Sequence, residues 1–361
     1  MRERVVISVS NDISTDQRVL KVAKTCFENG YDVLILGRFR ANSKKLQLPY
    51  PHKRFKLLFD SSFLFYAELN IRLFFKLLFE KSDVLLANDT DTLVANFLVS
   101  RLKNKKLIFD AHELFPEVPE LQHRPFVKKI WEFIENSIFP HLQYSYTVCD
   151  SIADYYRLKY KIDMKVIRNM PYYEEYLSTN NEKKSEKIIL YQGAINVGRG
   201  LEWVIDAMPL IANVKLLIIG DGDIKNELIK RVELANLTHC VEFVDKILPD
   251  QLKVYTKQAT IGLCLLDNIG LSYYYALPNR IFDYIQARLP ILATSFPEIT
   301  KIVGNYNTGI LIDHYEPEYL AEIINQMLKS PYSTEHFNEL ANQFCWENEE
   351  QVLLSILTTN A

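Results

Sequence analysis

The sequence predicts an α/β protein built from two doubly wound parallel sheets in tandem, and three observations carry that prediction. Short apolar runs rich in Val, Ile and Leu alternate with longer amphipathic stretches, as strands buried on both faces of a parallel sheet alternate with their connecting helices. The alternation occurs twice along the chain. A length of 361 residues also exceeds one ordinary core and fits roughly two domains.

In the first half, strands are expected at Val5 to Ser10, Asp32 to Leu36, Phe55 to Phe59, Val84 to Ala87, Lys106 to Asp110 and Tyr144 to Val148, with helical segments between them. In the second half they are expected at Lys187 to Gln192, Val214 to Gly220, Val241 to Val244, Ile261 to Leu266, Ile291 to Thr294 and Gly309 to Ile312. Helices at Leu201 to Ile211, Ile224 to Ala235, Arg280 to Ala287 and Glu316 to Leu328 connect these. Tyr172 to Ser185 is polar, follows Pro171 and has the composition of a linker. The expected domains are therefore 1–170 and 171–343, with an amphipathic helix inside 344–361 packing back on the first. Two such units face each other across a cleft at the carboxyl ends of their strands, so function is expected in the loops that follow the strands.

With 48% hydrophobic and 24% charged residues and a net charge of −3, the chain reads as globular and has no global field to attract nucleic acid. The five cysteines stand far apart and never as CxxC, which indicates neither a disulfide framework nor a zinc site and points to a reducing cytoplasm. The opening run MRERVVISVS is too short and strand-like for a secretory signal. Phe63 to Phe79 is the most hydrophobic stretch, but Glu68, Asn70, Arg72 and Lys76 interrupt it and argue against a bilayer span. A core-packing helix and a helix lying on a membrane surface both fit, the second because Lys53, Arg54, Lys56, Arg72, Lys76 and Lys81 accompany its Phe and Leu side chains.

Polar clusters follow the expected strands. The first is Ser10-Asn11-Asp12-Ile13-Ser14-Thr15-Asp16-Gln17-Arg18, where Ser14 or Thr15 can cap the next helix and Asp16 can complement its dipole; capping does not explain Asn11, Asp12 and Arg18 as well. The dinucleotide fingerprint GxGxxG is absent here, which argues against a nicotinamide or flavin cofactor. Asn88-Asp89-Thr90-Asp91 and Asp110-Ala111-His112-Glu113 follow the fourth and fifth strands and are expected to line one wall of the cleft together with Asn11 and Asp12. Asp89-Thr90-Asp91 also matches a carboxylate pattern that holds Mn²⁺ or Mg²⁺ in one class of sugar transferases, although Asp91 is better placed to cap a helix, and no metal is expected.

In the second half, Gly193-Ala194-Ile195-Asn196-Val197-Gly198-Arg199-Gly200 combines glycines that admit an anion to the backbone with a fixed positive charge. Leu277-Pro278-Asn279-Arg280 starts a helix with a cation, an unfavourable placement unless an anion offsets it. Asp283 lies one turn further on the same face, suited to accept hydrogen bonds from vicinal ribose hydroxyls. Gly220-Asp221-Gly222-Asp223 reads as a turn and helix cap.

On these motifs the chain resembles the GT-B-fold retaining glycosyltransferases of family 4, glycosyl transferases group 1. The resemblance is carried by SNDISTDQR, DAHELFPEVPEL at Asp110 to Leu121, VIRNMP at Val166 to Pro171, YQGAINVGRGLEWVI at Tyr191 to Ile205, and LPNRIFDYIQARLPILAT at Leu277 to Thr294. It implies two Rossmann-like domains, the second binding a nucleotide diphosphate sugar and the first facing a glycan or lipid-linked acceptor. It implies a metal-independent hexosyltransferase of cell-envelope polysaccharide synthesis, making lipopolysaccharide or capsule, in the cytoplasm or peripherally at the inner face of the membrane. By the same likeness, Arg199 and Arg280 clamp the diphosphate, Asp283 holds the ribose, and the backbone after Ser295 helps receive phosphates or sugar. Gly193, Asn196, Gly198, Asn279 and Tyr275 complete the donor side. His112 contacts the donor sugar, and Asn11, Asp12, Asp89 and Glu113 lie on the acceptor side.

One position departs from the family pattern, which places a glutamate, seven residues and another glutamate where this chain has Tyr275 and Asp283. Asp267 or Ser272 are the neighbours able to substitute for the missing carboxylate. A sugar-nucleotide epimerase of the same fold and a catalytically weak nucleotide-sugar-binding homologue stand as alternatives.

Overall fold

In the computed structural model the described residues are 2–41, 43–175, 186–329, 332–333 and 335–359. They fall into two units, Met1–Asn169 with Glu349–Ala361, and Met170–Asn348. Most of the segment expected as a linker, 176–185, lies outside the described residues.

The first unit contains strands β1 (Arg4–Asp12), β2 (Asp32–Phe39), β3 (His52–Lys56), β4 (Val84–Asn88), β5 (Lys106–Ala111), β6 (Tyr144–Thr147) and β7 (Lys165–Val166). Helices α1 (Gln17–Glu28), α2 (Ser62–Phe79), α3 (Thr90–Lys103), α4 (Pro125–Ile138) and α5 (Asp150–Tyr160) connect them. All pairings are parallel, in the order β3-β2-β1-β4-β5-β6-β7. Val5, Val6 and Ile7 of β1 are wholly buried, as a central strand covered by helices on both faces requires. The order reverses between β1 and β4, so the ends of these strands flank the switch point where such sheets bind ligands. Strand β3 starts at His52 rather than Phe55, because an edge strand tolerates Lys53 and Arg54, which an apolar run excludes.

Helix α2 packs Phe65, Leu69, Leu73 and Leu77 onto Leu36, Leu85 and Val99 of the same core. The i, i+4 spacing of these four residues puts them on one stripe. Ile71, Phe75 and Phe79 remain exposed on another. No helix among the described residues is long and apolar enough to cross a membrane.

The second unit contains β8 (Lys187–Ala194), β9 (Val214–Asp221), β10 (Val241–Val244), β11 (Ile261–Cys264), β12 (Ile291–Thr294) and β13 (Gly309–Ile312). Its helices are α6 (Leu201–Ala207), α7 (Lys225–Leu234), α8 (Pro249–Gln258), α9 (Leu271–Tyr274), α10 (Arg280–Gln286), α11 (Pro297–Val303), α12 (Pro317–Lys329) and α13 (Phe337–Gln343), and α14 (Trp346–Thr358) closes the chain. The sheet is parallel, in the order β10-β9-β8-β11-β12-β13, and reverses between β8 and β11. Each unit is thus a doubly wound α/β layer. Helix α6 stops four residues before the expected Ile211, because Pro209 lacks the N–H that would continue it and tightens Met208–Leu210 into a 3₁₀ turn.

Candidate active-site residues

In the first unit the polar residues after β1, β4 and β5 form one network around His112. Arg18, only 3% exposed, donates from Nε and Nη2 to the two oxygens of Asp110, each at 2.8 Å, and from Nη1 to the Ile167 carbonyl at 2.9 Å. This ion pair gives the buried Asp110 a full counter-charge and explains the one cation that capping left unexplained. His112 Nε2 lies 3.1 Å from Asp110 Oδ2, and its Nδ1 lies 3.1 Å from Asp89 Oδ2. Asp89 also accepts the backbone N–H of His112 at 2.8 Å. To do so it adopts φ 58°, in the left-handed region that a non-glycine residue enters at a cost.

The charges follow from this arrangement. Burial works against ionising Asp110, but Arg18 and His112 outweigh it and hold the carboxyl well below the usual range. Burial likewise disfavours the charged form of His112, yet Asp89 and Asp110 hold the imidazole protonated well above its ordinary value. His112, 21% exposed, is therefore a fixed cation rather than a general base at neutral pH. Nε2, although close to Asp110, makes no hydrogen bond of good geometry among the described residues. The Asp110 contribution to stability is present above the ordinary carboxylate pKa and is lost as pH falls through the folded value. That of His112 is full below about 6.5 and is lost as pH rises through its folded value.

The other first-unit candidates have local partners. Asp12, not Ser14 or Thr15, caps the 3₁₀ turn Ile13–Thr15 by accepting Ser14 N at 3.0 Å, and Asp16 caps α1 by accepting Val19 N at 3.1 Å. Burial opposes ionising Asp12, but hydrogen bonds from Ser43 and Ser14 and the Arg54 charge at 3.6 Å hold its pKa down. Asn11 is exposed and donates to Asp16 at 3.5 Å. Glu113 is half-buried, and its carbonyl accepts the Tyr156 hydroxyl at 3.2 Å.

Asp91 does not cap α3; it lies buried in the first turn. Burial and then the Asp89 charge push its pKa up to about 8. Its neighbour Asp89 is engaged by His112, through the backbone N–H and the ring. An acid raised in the folded state costs stability progressively as pH climbs from its ordinary 3.8 toward 8. Asp91→Asn should therefore raise the unfolding temperature at pH 8 and change it little at pH 4; an equal gain at both, in paired thermal melts, contradicts this.

In the second unit two guanidinium groups converge beside the switch point. Arg280, 8% exposed, begins α10 and lies over the Tyr191 ring, 4.4 Å from its centroid. Arg199, half-buried after β8, lies over Tyr273, also at 4.4 Å. Burial pushes the Cys264 thiol up to about 11, and both guanidinium charges act on it to draw it down, which puts them around the end of β11. Arg280 Nη1 and Arg199 Nε are buried with no acceptor among the described residues. A buried N–H without a partner is costly, more so on a charged group, and an anion would supply one.

The glycines here hold backbone close to side chains and to backbone. A Cβ on Gly193, at φ 135°, would stand 3.3 Å from Arg280 Nη2, and one on Gly220 would stand 1.8 Å from the Gly193 carbonyl oxygen. The Gly198 carbonyl accepts Asp267 N at 2.9 Å. Asn196 accepts Asp223 N at 3.3 Å, tying the loop to the turn after β9. That turn supplies no cap, since Ile224 stands at the N-cap of α7 with no side-chain bond. Asp283 accepts Gln192 Nε2 at 3.0 Å. Asn279 is exposed, and the half-buried Tyr275 follows α9 with its ring 5.3 Å from Tyr274. The Ser295 and Phe296 N–H groups are taken by the Ile312 and Thr294 carbonyls.

Sequence reading missed Asp110 as the partner of Arg18, and it missed Gln192. A cation in the first turn of α1 was the available signal for the former. Gln192 read as part of a strand.

Residues 173–344 match the family model described as glycosyl transferases group 1. An uncharacterized glycosyltransferase of Methanocaldococcus jannaschii is 25% identical over 45% of this chain, a match that takes in only 42% of that relative. Sucrose-phosphate synthase of Thermosynechococcus elongatus superposes with a TM-score of 0.80 at 16% identity, over 99% of this chain and 98% of its own. Anabaena HepE, solved with UDP and glucose, superposes at 0.76 and 16% identity, over 99% of this chain and 100% of its own. At such identity the likeness is one of fold, and that fold is GT-B.

Proposed function

With its second unit a glycosyl transferases group 1 domain, we infer that the chain moves a sugar from a nucleotide diphosphate donor to a glycan or lipid-linked acceptor, with retention of anomeric configuration. The observation that carries this reading is the pair of buried, unaccepted N–H groups on Arg199 and Arg280. A departing diphosphate develops negative charge, and preorganised cations stabilise it without reorganising at the moment of reaction. Arg199 and Arg280 supply those cations. Asp283 takes the ribose hydroxyls, and Gly193, Asn196, Gly198, Asn279 and Tyr275 border the donor. His112, a fixed cation, offers its charge to sugar hydroxyls, and Asn11, Asp12, Asp89 and Glu113 shape the acceptor side. The acceptor hydroxyl attacks the anomeric carbon on the face the phosphate leaves, and the departing phosphate takes the proton.

We place the protein in the cytoplasm, in cell-envelope polysaccharide synthesis. Peripheral contact with the membrane runs through the exposed Ile71, Phe75 and Phe79 of α2. Failure to float with vesicles containing anionic lipid removes that contact from the account.

The test is incubation of purified protein in EDTA with UDP-, GDP- and ADP-sugars and a lipid-linked glycan acceptor. Sugar transfer or slow donor hydrolysis with retained configuration is expected. Activity that appears only with Mn²⁺ rejects metal independence, donor isomerised without acceptor assigns an epimerase, and tight binding without turnover assigns a binding homologue.

A further inference from the structure

Gln192 is the last buried residue of β8 before the glycine loop, and it is a polar side chain in a strand whose neighbours Leu190 and Tyr191 are wholly buried. Gln192 and Thr256 of α8 are each 3% exposed. Thr256 Oγ1 lies 2.8 Å from Gln192 Oε1 and 2.9 Å from the Leu252 carbonyl, so its single proton lies between two acceptors. Gln192 Nε2 donates to Asp283 Oδ2 at 3.0 Å. The chemistry of the three groups leaves one orientation. A carboxylate only accepts, so the amide nitrogen must face Asp283, and the amide oxygen then needs the donor that Thr256 provides. Burying an amide for this purpose is costly unless both ends are satisfied, and both are.

We propose that Gln192 and Thr256 are positioning residues for ribose recognition: the hydroxyl orients the amide, and the amide fixes the plane of the Asp283 carboxylate that receives the vicinal hydroxyls of the donor nucleotide. The inference rests on the donor reading above and adds a specificity to it. The chain selects ribonucleotides over 2′-deoxyribonucleotides through a relay that begins two residues' depth away from the ligand. A carboxylate that loses the amide contact still accepts a hydrogen bond, but its plane is no longer set for two adjacent hydroxyls.

The experiment measures dissociation constants by titration calorimetry for UDP, GDP and ADP and for their 2′-deoxy counterparts, on wild type and on Gln192→Leu, Thr256→Val and Thr256→Ser. Wild type should prefer the ribonucleotide by about tenfold, the scale of one hydrogen bond to a charged group. Gln192→Leu and Thr256→Val should reduce that preference to about twofold, with the loss falling on the ribonucleotide alone, and Thr256→Ser, which keeps the hydroxyl, should restore it. A merely structural role would weaken both nucleotides equally and leave the ratio untouched, which overturns the proposal. So does an unchanged ratio in variants that melt like wild type. If wild type binds none of the three diphosphates, the donor reading falls and this inference with it; if it binds them and the ratio does not respond, this inference falls alone.

Discussion

Replacing Arg280 with alanine should abolish the rise in unfolding temperature that a nucleoside diphosphate gives the wild-type protein, and should lower kcat/KM by about two to three orders of magnitude. The magnitude follows from what the guanidinium does in the structure. It is almost wholly buried, held over Tyr191, and keeps a buried N–H on Nη1 that nothing among the described residues accepts. Such a group is already desolvated and oriented before an anion arrives, so the bound anion receives its charge at low dielectric with little reorganisation. The free protein should also lose stability, because the buried guanidinium packs over Tyr191 and is hydrogen-bonded to it. The informative quantity is therefore the difference between melts with and without UDP, GDP or ADP. Arg280→Lys keeps the charge but not the planar donor set, and should recover part of the shift. A ligand-induced shift in Arg280→Ala equal to that of wild type removes Arg280 from the site.

The largest loss of stability should come from Asp110→Ala. Asp110 is fully buried, accepts two hydrogen bonds from Arg18 and faces His112 Nε2 at 3.1 Å. Removing the carboxylate leaves the buried Arg18 guanidinium and the protonated imidazole without it. Breaking a buried pair from one side costs about 3–5 kcal/mol. Removing both charges at once costs less, so Asp110→Leu combined with Arg18→Met should be more stable than Asp110→Ala alone. Chemical denaturation of the first-unit variants measures this directly. A single-variant loss below about 1 kcal/mol, the range of an exposed pair, means the network is not the buried one described.

The two sheets were legible in the sequence because their strands read as continuous apolar runs. Strands β10, β12 and β13 begin and end where the runs do. The edges of the first sheet were less legible: β7 is two residues long, shorter than any pattern can mark, and the basic start of β3 shifted it from the expected Phe55 to Phe59. Helices α8 and α11 begin at Pro249 and Pro297, residues that read as loop punctuation when no packed face is known.

Among the candidate residues, the sequence marks individual side chains but not their partnerships. Arg199 was marked by charge beside glycine, Arg280 by a cation placed against the helix dipole and Asp283 by its position one turn beyond Arg280, all local signals. Asp110 and Arg18 lie 92 positions apart and Gln192 and Asp283 lie 91 apart, so no periodicity links them. Their pairing is a consequence of strand order, which brings the end of β5 within reach of α1, and α10 to the end of β8. The polar turn after β1 shows the same limit from the other side, since Asp12 and Asp16, rather than the hydroxyls, complete the caps.

A crystal structure with UDP, GDP or ADP bound tests the central assignment most directly. The account predicts the diphosphate oxygens within hydrogen-bonding distance of Arg199 Nε and Arg280 Nη1, at the ends of β8 and β11. A nucleotide seated elsewhere, with both guanidinium groups still lacking an acceptor, would contradict it.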